Sequence, residues 1–223
     1  TTPETVPSEG MTYRTTPTTS DKVSILGYGC MRWPKLPEPA KDGNVIDQEA
    51  VNELVDYAIK HGVNLFDTSP IYVQGWSEKS TGIALKRHPR EKFYISTKLS
   101  NMHNYSREAS LEMYHNSFTN LQVDYIDYYL MHMLTDLPTW VRMKSLGIVE
   151  WIEKNKASGR IRQIGFSYHG SSSEFIRVLE AYPWDFCQIQ YNYMDEHTQG
   201  GRAGLERAQE LGIPVLSEDQ FIE

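Results

Sequence analysis

From Val23 onward the chain repeats one pattern: a short β-branched or aromatic run with a polar residue at its end, a loop, then a helical stretch closed by glycine. The runs are Val23–Cys30, Val63–Thr68, Phe93–Lys98, Tyr125–His132, Ile161–Ser167, Phe186–Asn192 and Pro214–Leu216. Helical periodicity lies between them, near 47–61, 77–87, 107–121, 144–157, 172–181 and 203–211. A strand–helix alternation of this kind predicts parallel strands joined by crossover helices. Two architectures satisfy it, an open dinucleotide-binding sheet and a closed barrel. The open sheet announces itself by Gly-x-Gly-x-x-Gly after its first strand, and Gly27-Tyr28-Gly29 has no third glycine. The fold expected is therefore α/β, a TIM (β/α)8 barrel.

The barrel is visible only through about strand seven. Eight strands close such a ring in typically ~250 residues, whereas these 223 end just after the seventh run begins. Ser217-Glu218-Asp219-Gln220-Phe221-Ile222-Glu223 is a poor continuation for a buried strand, so truncation, or a join across missing sequence, is expected there. Residues 1–22 are expected to be a disordered tail and lead-in, with 23–223 the incomplete barrel. The Thr/Pro-rich first ten residues fit an added leader or the stub left by a removed export signal. Cytoplasm is the default location, and periplasm after twin-arginine export stays open beside it.

Helix ends support these boundaries. Gly62, Gly159 and Gly212 stand where left-handed C-terminal residues are wanted, Asp47 where the first helix needs a cap, and Ser171 with Glu174 has capping-box spacing.

Composition excludes several classes of function. Lys plus Arg is 22 against 29 for Asp plus Glu, a net charge of −7, which gives no electrostatic footprint for nucleic acid or an anionic membrane. No apolar run approaches the ~18 residues a membrane helix needs, so no membrane insertion is expected. Cys30 and Cys187 have no local partner, and the seven histidines show no zinc-like helical spacing, so no metal site is assigned. The oligomeric state is not legible.

In a parallel barrel, chemistry sits at the C-terminal strand ends. There stand Asp67-Thr68-Ser69-Pro70-Ile71-Tyr72, Ser96-Thr97-Lys98 and Leu130-Met131-His132. A phenol titrating near ~10 becomes a usable acid when a nearby ammonium stabilises its phenolate. Lys98 would supply that charge to Tyr72, Asp67 would neutralise and orient Lys98, and His132 would donate to a substrate oxygen. Each alone has an ordinary alternative: a strand-closing Asp accepts loop amides, a Tyr packs on a loop, a Lys is solvated, a His fills a core. Their joint arrangement singles them out. Ser167 and Gln188 either bond a carboxamide, with Tyr191 or Tyr193 offering an aromatic face beside a planar ring, or are ordinary polar filling of a barrel mouth. Cys30, Met31, Arg32 and Trp33 open a Pro-rich loop (Pro34, Pro37, Pro39), either a substrate flap or a rigid surface loop.

Asp67-Thr-Ser-Pro-Ile-Tyr72, Gly75-Trp-Ser-Glu78, Ser96-Thr-Lys98, Leu130-Met-His132 and Ile164-Gly-Phe-Ser167 together resemble the aldo-keto reductase superfamily, from about Met11 to Leu216. Gly27-Tyr-Gly-Cys-Met-Arg-Trp-Pro34 is similar to the bacterial branch that often carries a C-terminal ferredoxin-like (4Fe-4S) extension. The resemblance implies an NADP(H)- or NAD(H)-dependent reductase of a small aldehyde or ketone. It implies a catalytic set of Tyr72 as general acid, Lys98 and Asp67 lowering its pKa, and His132 orienting the carbonyl. It places Ser167 and Gln188 on the nicotinamide amide and Met31 beside the cofactor. Tyr168 departs from the family, which often has Asn after that serine. Two rival readings are a nicotinamide-binding regulatory subunit without turnover and an electron-transfer enzyme fed by an iron–sulfur cluster.

Overall fold

The computed structural model describes residues 10–17, 19–100, 106–189, 201–217 and 221–222. In chain order the elements are β1 (Tyr13–Thr15), β2 (Lys22–Ser24), β3 (Gly27–Gly29), α1 (Gln48–Lys60), β4 (Leu65–Asp67), α2 (Ser77–Leu85), β5 (Tyr94–Leu99), α3 (Arg107–Leu121) and β6 (Ile126–Met131). They continue with α4 (Leu137–Ser145), α5 (Ile148–Ala157), β7 (Ile161–Tyr168), α6 (Ser172–Glu180), β8 (Phe186–Ile189), α7 (Gly201–Glu210), β9 (Val215–Ser217) and β10 (Phe221–Ile222). Each of the seven expected runs contains a strand, and the α/β alternation is the one the sequence predicts. The chain divides into two compact units, one of Thr1–Lys98, Tyr114–Ile126 and Phe221–Glu223, the other of Leu99–Met113 and Asp127–Gln220.

In the first unit, β3 pairs in parallel with β4, and β4 with β5. The single strand expected over Val23–Cys30 is in fact two. β2 forms an antiparallel hairpin with β1, and the chain bends before β3 because Ser24 Oγ donates to the Leu26 carbonyl at 2.6 Å. Asn64 holds that bend, accepting from Ser24 N at 2.8 Å and donating to the Lys22 carbonyl at 2.8 Å. The polar run after Leu216 also departs from expectation: β10 pairs in parallel with β3 at Phe221↔Gly27 and Ile222↔Tyr28. The pairing residues, Phe221 and Ile222, are the two apolar ones of that run.

Helix α1 opens on the Asp47 cap, which accepts from Ala50 N at 3.2 Å, and buries Val51, Val55 and Ala58, spaced to share one helical face. Trp33, 2% exposed, stacks on Tyr28 with centroids 5.0 Å apart. The Pro-rich loop after it is stitched shut by Leu36 N donating to Val45 O and Asp47 N to Pro34 O, both at 2.9 Å, as a rigid loop would be. Helix α2 approaches the chain at 120–121 so closely that a Cβ on Gly82 would lie 2.7 Å from Leu121 Cα. Backbone cannot yield as a side-chain tip does. Gly82→Ala is therefore expected to cost ~1–3 kcal/mol in chemical denaturation; an unchanged midpoint would show that α2 stands off.

In the second unit, β7 pairs in parallel with β8 and β8 with β9. Its core is aromatic: Trp184 lies 4.7 Å by centroid from both Phe166 and Trp140, and its indole N–H donates to Val178 O at 2.8 Å. Such ring pairs add about 0.5–1.5 kcal/mol each beyond the area they bury. The helix expected over 144–157 is replaced by α4 and α5. Gly147, at φ 72°, turns the chain between them, and Asp136 caps α4 by accepting from Thr139 N at 2.8 Å. The expected caps at Gly62, Gly159 and Gly212 all have positive φ, and Ser171 caps α6.

Candidate active site

Strand β5 is buried along its whole length, as a strand covered on both faces should be, yet it carries a lysine. Lys98 has no solvent exposure. An ammonium in that position is tolerable only when paired and hydrogen-bonded. Lys98 Nζ donates to both oxygens of Asp67, at 2.8 and 2.7 Å, and to the Thr68 carbonyl at 2.8 Å. The Tyr72 hydroxyl is a further hydrogen-bond partner, and the ammonium lies 4.9 Å from the Tyr72 ring centroid. Burial by itself would push the Lys98 pKa down. The Asp67 charge and then Tyr72 outweigh it, so the group is held above its ordinary value and stays cationic.

Tyr72 is delivered by a strained turn. Val73 has φ 49° and Gln74 φ 56°, followed by Gly75 at φ 88°. A β-branched residue in the left-handed region is an outlier that persists only where its surroundings impose it, often near functional sites. Here the turn is bracketed by Tyr72 N donating to Ser69 O at 3.2 Å and Trp76 N to Val73 O at 3.0 Å.

A second buried carboxylate lies behind this set. Glu78 is 1% exposed, accepts from Thr97 Oγ1 at 2.7 Å, and is hydrogen-bonded to Ser117. Burial pushes its pKa up to about 7, against the lowering pull of Ser117, Thr97 and the Lys98 charge. In the sequence, Glu78 closes Gly75-Trp-Ser-Glu78 with no role assigned to it. The signal for it is the run of small residues around it, Ser77, Ser80, Thr81, Gly82 and Ala84, all buried, which lets α2 lie tight enough to enclose a carboxylate.

This predicts a pH effect on stability. The unfolded carboxyl titrates near its ordinary 4.5, the folded one near 7, so between those values the folded state holds more protons and stability falls as pH rises. Glu78→Gln does not titrate. Relative to wild type, its unfolding free energy should gain on the order of 3 kcal/mol between about pH 4 and about pH 8. A pH-independent difference would mean that Glu78 titrates in the fold as it does in the unfolded chain.

In the second unit, His132 follows β6. Its amide donates to the Leu99 carbonyl at 3.1 Å, and its Nδ1 lies 2.6 Å from Ser100 Oγ. Ser167 and Gln188 face each other in register on β7 and β8, both buried. Ser167 Oγ accepts from Met133 N at 2.8 Å and keeps its own proton to donate. Gln188 Oε1 is buried without a hydrogen-bond partner among the described residues. A carboxamide offers an acceptor for the Ser167 hydroxyl and N–H donors for that orphaned oxygen, so this pair fits the amide of a nicotinamide.

Met31 is 51% exposed on the segment after β3 and takes no part in these polar networks. Tyr191 and Tyr193 lie outside the described residues. Tyr168 is structural: fully buried, it donates its hydroxyl to the Ser171 carbonyl at 2.5 Å. Cys30 and Cys187 are buried and free of disulfides, and burial raises both thiol pKa values. Among the described residues no cluster of His, Cys, Asp or Glu is placed to hold a metal, and no helix is long and apolar enough to cross a membrane.

Comparison with known proteins gives the family to which this fold belongs. The chain belongs to the aldo/keto reductase family, whose model matches residues 25–217. It is 28% identical over 220 residues to the NADH-specific methylglyoxal reductase of Escherichia coli K12, covering 90% of this chain and 65% of that protein, and so spans just under two thirds of that relative. Among solved structures, it superposes on an aldo-keto reductase of Klebsiella pneumoniae in complex with NADPH with a TM-score of 0.70, at 23% identity, covering 93% of this chain and 68% of that one. An aldo-keto reductase of Bacillus halodurans in its holo form gives 0.71 at 24% identity, covering 93% and 65%. These likenesses establish the (β/α) barrel fold expected from the sequence.

Proposed function

We propose that this chain reduces a small aldehyde or ketone with NADPH or NADH, Tyr72 acting as general acid. The observation that carries the reading is the buried Lys98 ammonium, fixed by Asp67 and bonded to the Tyr72 hydroxyl. When bound, the nicotinamide supplies a hydride to the carbonyl carbon. The residues of the chain do the rest. Tyr72 gives its proton to the carbonyl oxygen, and the phenolate left behind is stabilised by the Lys98 charge at short range in a water-poor site. Asp67 keeps that ammonium charged and aimed. His132 would donate to the same carbonyl oxygen and so orient it, while Ser167 and Gln188 would hold the amide of the cofactor and Met31, on the segment after β3, would contact it. General acid catalysis of this kind contributes roughly 10²–10⁴-fold.

The E. coli relative makes methylglyoxal the first carbonyl to try, and its specificity for NADH against the NADPH of the Klebsiella structure makes both nucleotides necessary arms. Reduced-nicotinamide absorbance should fall steadily when the chain, nucleotide and a carbonyl panel are mixed. Nucleotide that binds but is never oxidised would favour the regulatory-subunit reading instead.

A further inference from the structure

We propose that Ser100 is a positioning residue for His132: its hydroxyl donates to Nδ1 and so holds the neutral ring in the tautomer whose Nε2 carries the proton. The contact is the 2.6 Å approach of Ser100 Oγ to His132 Nδ1. It is reinforced from both sides. The His132 amide donates to the Leu99 carbonyl at 3.1 Å, registering the end of β6 on the residue before Ser100. Ser100 N donates to Met113 Sδ at 3.2 Å, which anchors the serine to α3. Ser100 is 8% exposed, so water does not readily substitute for it.

The direction of the bond follows from what the other nitrogen must do, and here the inference rests on His132 as the group that orients the carbonyl. A carbonyl oxygen only accepts, so the nitrogen facing it must carry the proton. In a neutral imidazole the remaining nitrogen is then a bare acceptor and needs a donor. A serine hydroxyl supplies one without adding charge, whereas a carboxylate there would pull the proton to Nδ1 and leave the wrong nitrogen toward the substrate. A free ring exchanges between tautomers and flips about χ2; one donor fixed at Nδ1 ends both motions.

The test is nitrogen NMR of the chain labelled with ¹⁵N-histidine, with Ser100→Ala and Ser100→Thr beside wild type. In wild type at a pH where the ring is neutral, His132 should show one tautomer, Nε2 protonated and Nδ1 bare. Ser100→Ala should give averaged tautomer shifts and lower kcat about tenfold with little change in the carbonyl KM, the loss of one aimed hydrogen bond. Ser100→Thr, which keeps the hydroxyl, should restore both. A proton found on Nδ1 in wild type overturns the assignment, as do nitrogen shifts that Ser100→Ala leaves unmoved. The wild-type spectrum decides the tautomer even if the alanine variant folds poorly. Because the shifts are read without cofactor or substrate, a chain that reduces no carbonyl would defeat the function proposed above while leaving the Ser100–His132 bond standing.

Discussion

Tyr72→Phe should lower kcat for carbonyl reduction by ~10²–10⁴-fold while the dissociation constant for NADPH stays within about twofold. The phenylalanine keeps the ring beside Lys98 and removes one oxygen and its proton. If that proton is the one delivered to the alkoxide, nothing else at the site replaces it: Lys98 is already committed to Asp67 and Thr68. Stopped-flow turnover paired with fluorescence titration of the nucleotide separates the two effects. Equal turnover by the variant would remove Tyr72 from the chemistry, and a matching loss of nucleotide affinity would make its role structural.

Asp67→Asn is expected to destabilise the chain by ~3–5 kcal/mol, because it leaves a fully buried ammonium without its anion. The amide is nearly the same shape, so packing is not the cause. A cycle separates charge from contact: Lys98→Met alone should strand the Asp67 carboxylate at a comparable cost, whereas Lys98→Met with Asp67→Asn should cost far less than the two singles together and restore none of the activity. Urea unfolding checks all three. If the two single costs simply add in the double variant, the pair is not coupled and the picture of Lys98 as a paired buried cation is wrong.

Why the sequence revealed some of these residues and hid others has a physical explanation. Asp67, Tyr72 and Lys98 end apolar runs or follow them directly, and strand ends are marked locally by the switch from β-branched to polar residues. The structure brings those three together, and the pairing of β7 with β8 sets Ser167 opposite Gln188. Glu78 and Ser100 carry no such mark. Whether a serine two residues past Lys98 meets solvent or an imidazole 32 positions further on is decided by tertiary packing. The same holds for the split of the first strand, which depends on Asn64, 40 residues from Ser24. Helix α4 was readable from Asp136 and the proline at its start, but periodicity running on past Gly147 merged its end with α5.

The most direct measurement uses NADPH, and separately NADH, deuterated at the transferable position of nicotinamide C4, with methylglyoxal as substrate and mass spectrometry of the alcohol formed. The account predicts one deuterium on the carbinol carbon with the native chain and product reduced at least about a hundredfold with Tyr72→Phe. Deuterated product formed equally fast by both proteins, or none formed by the native chain, would contradict it.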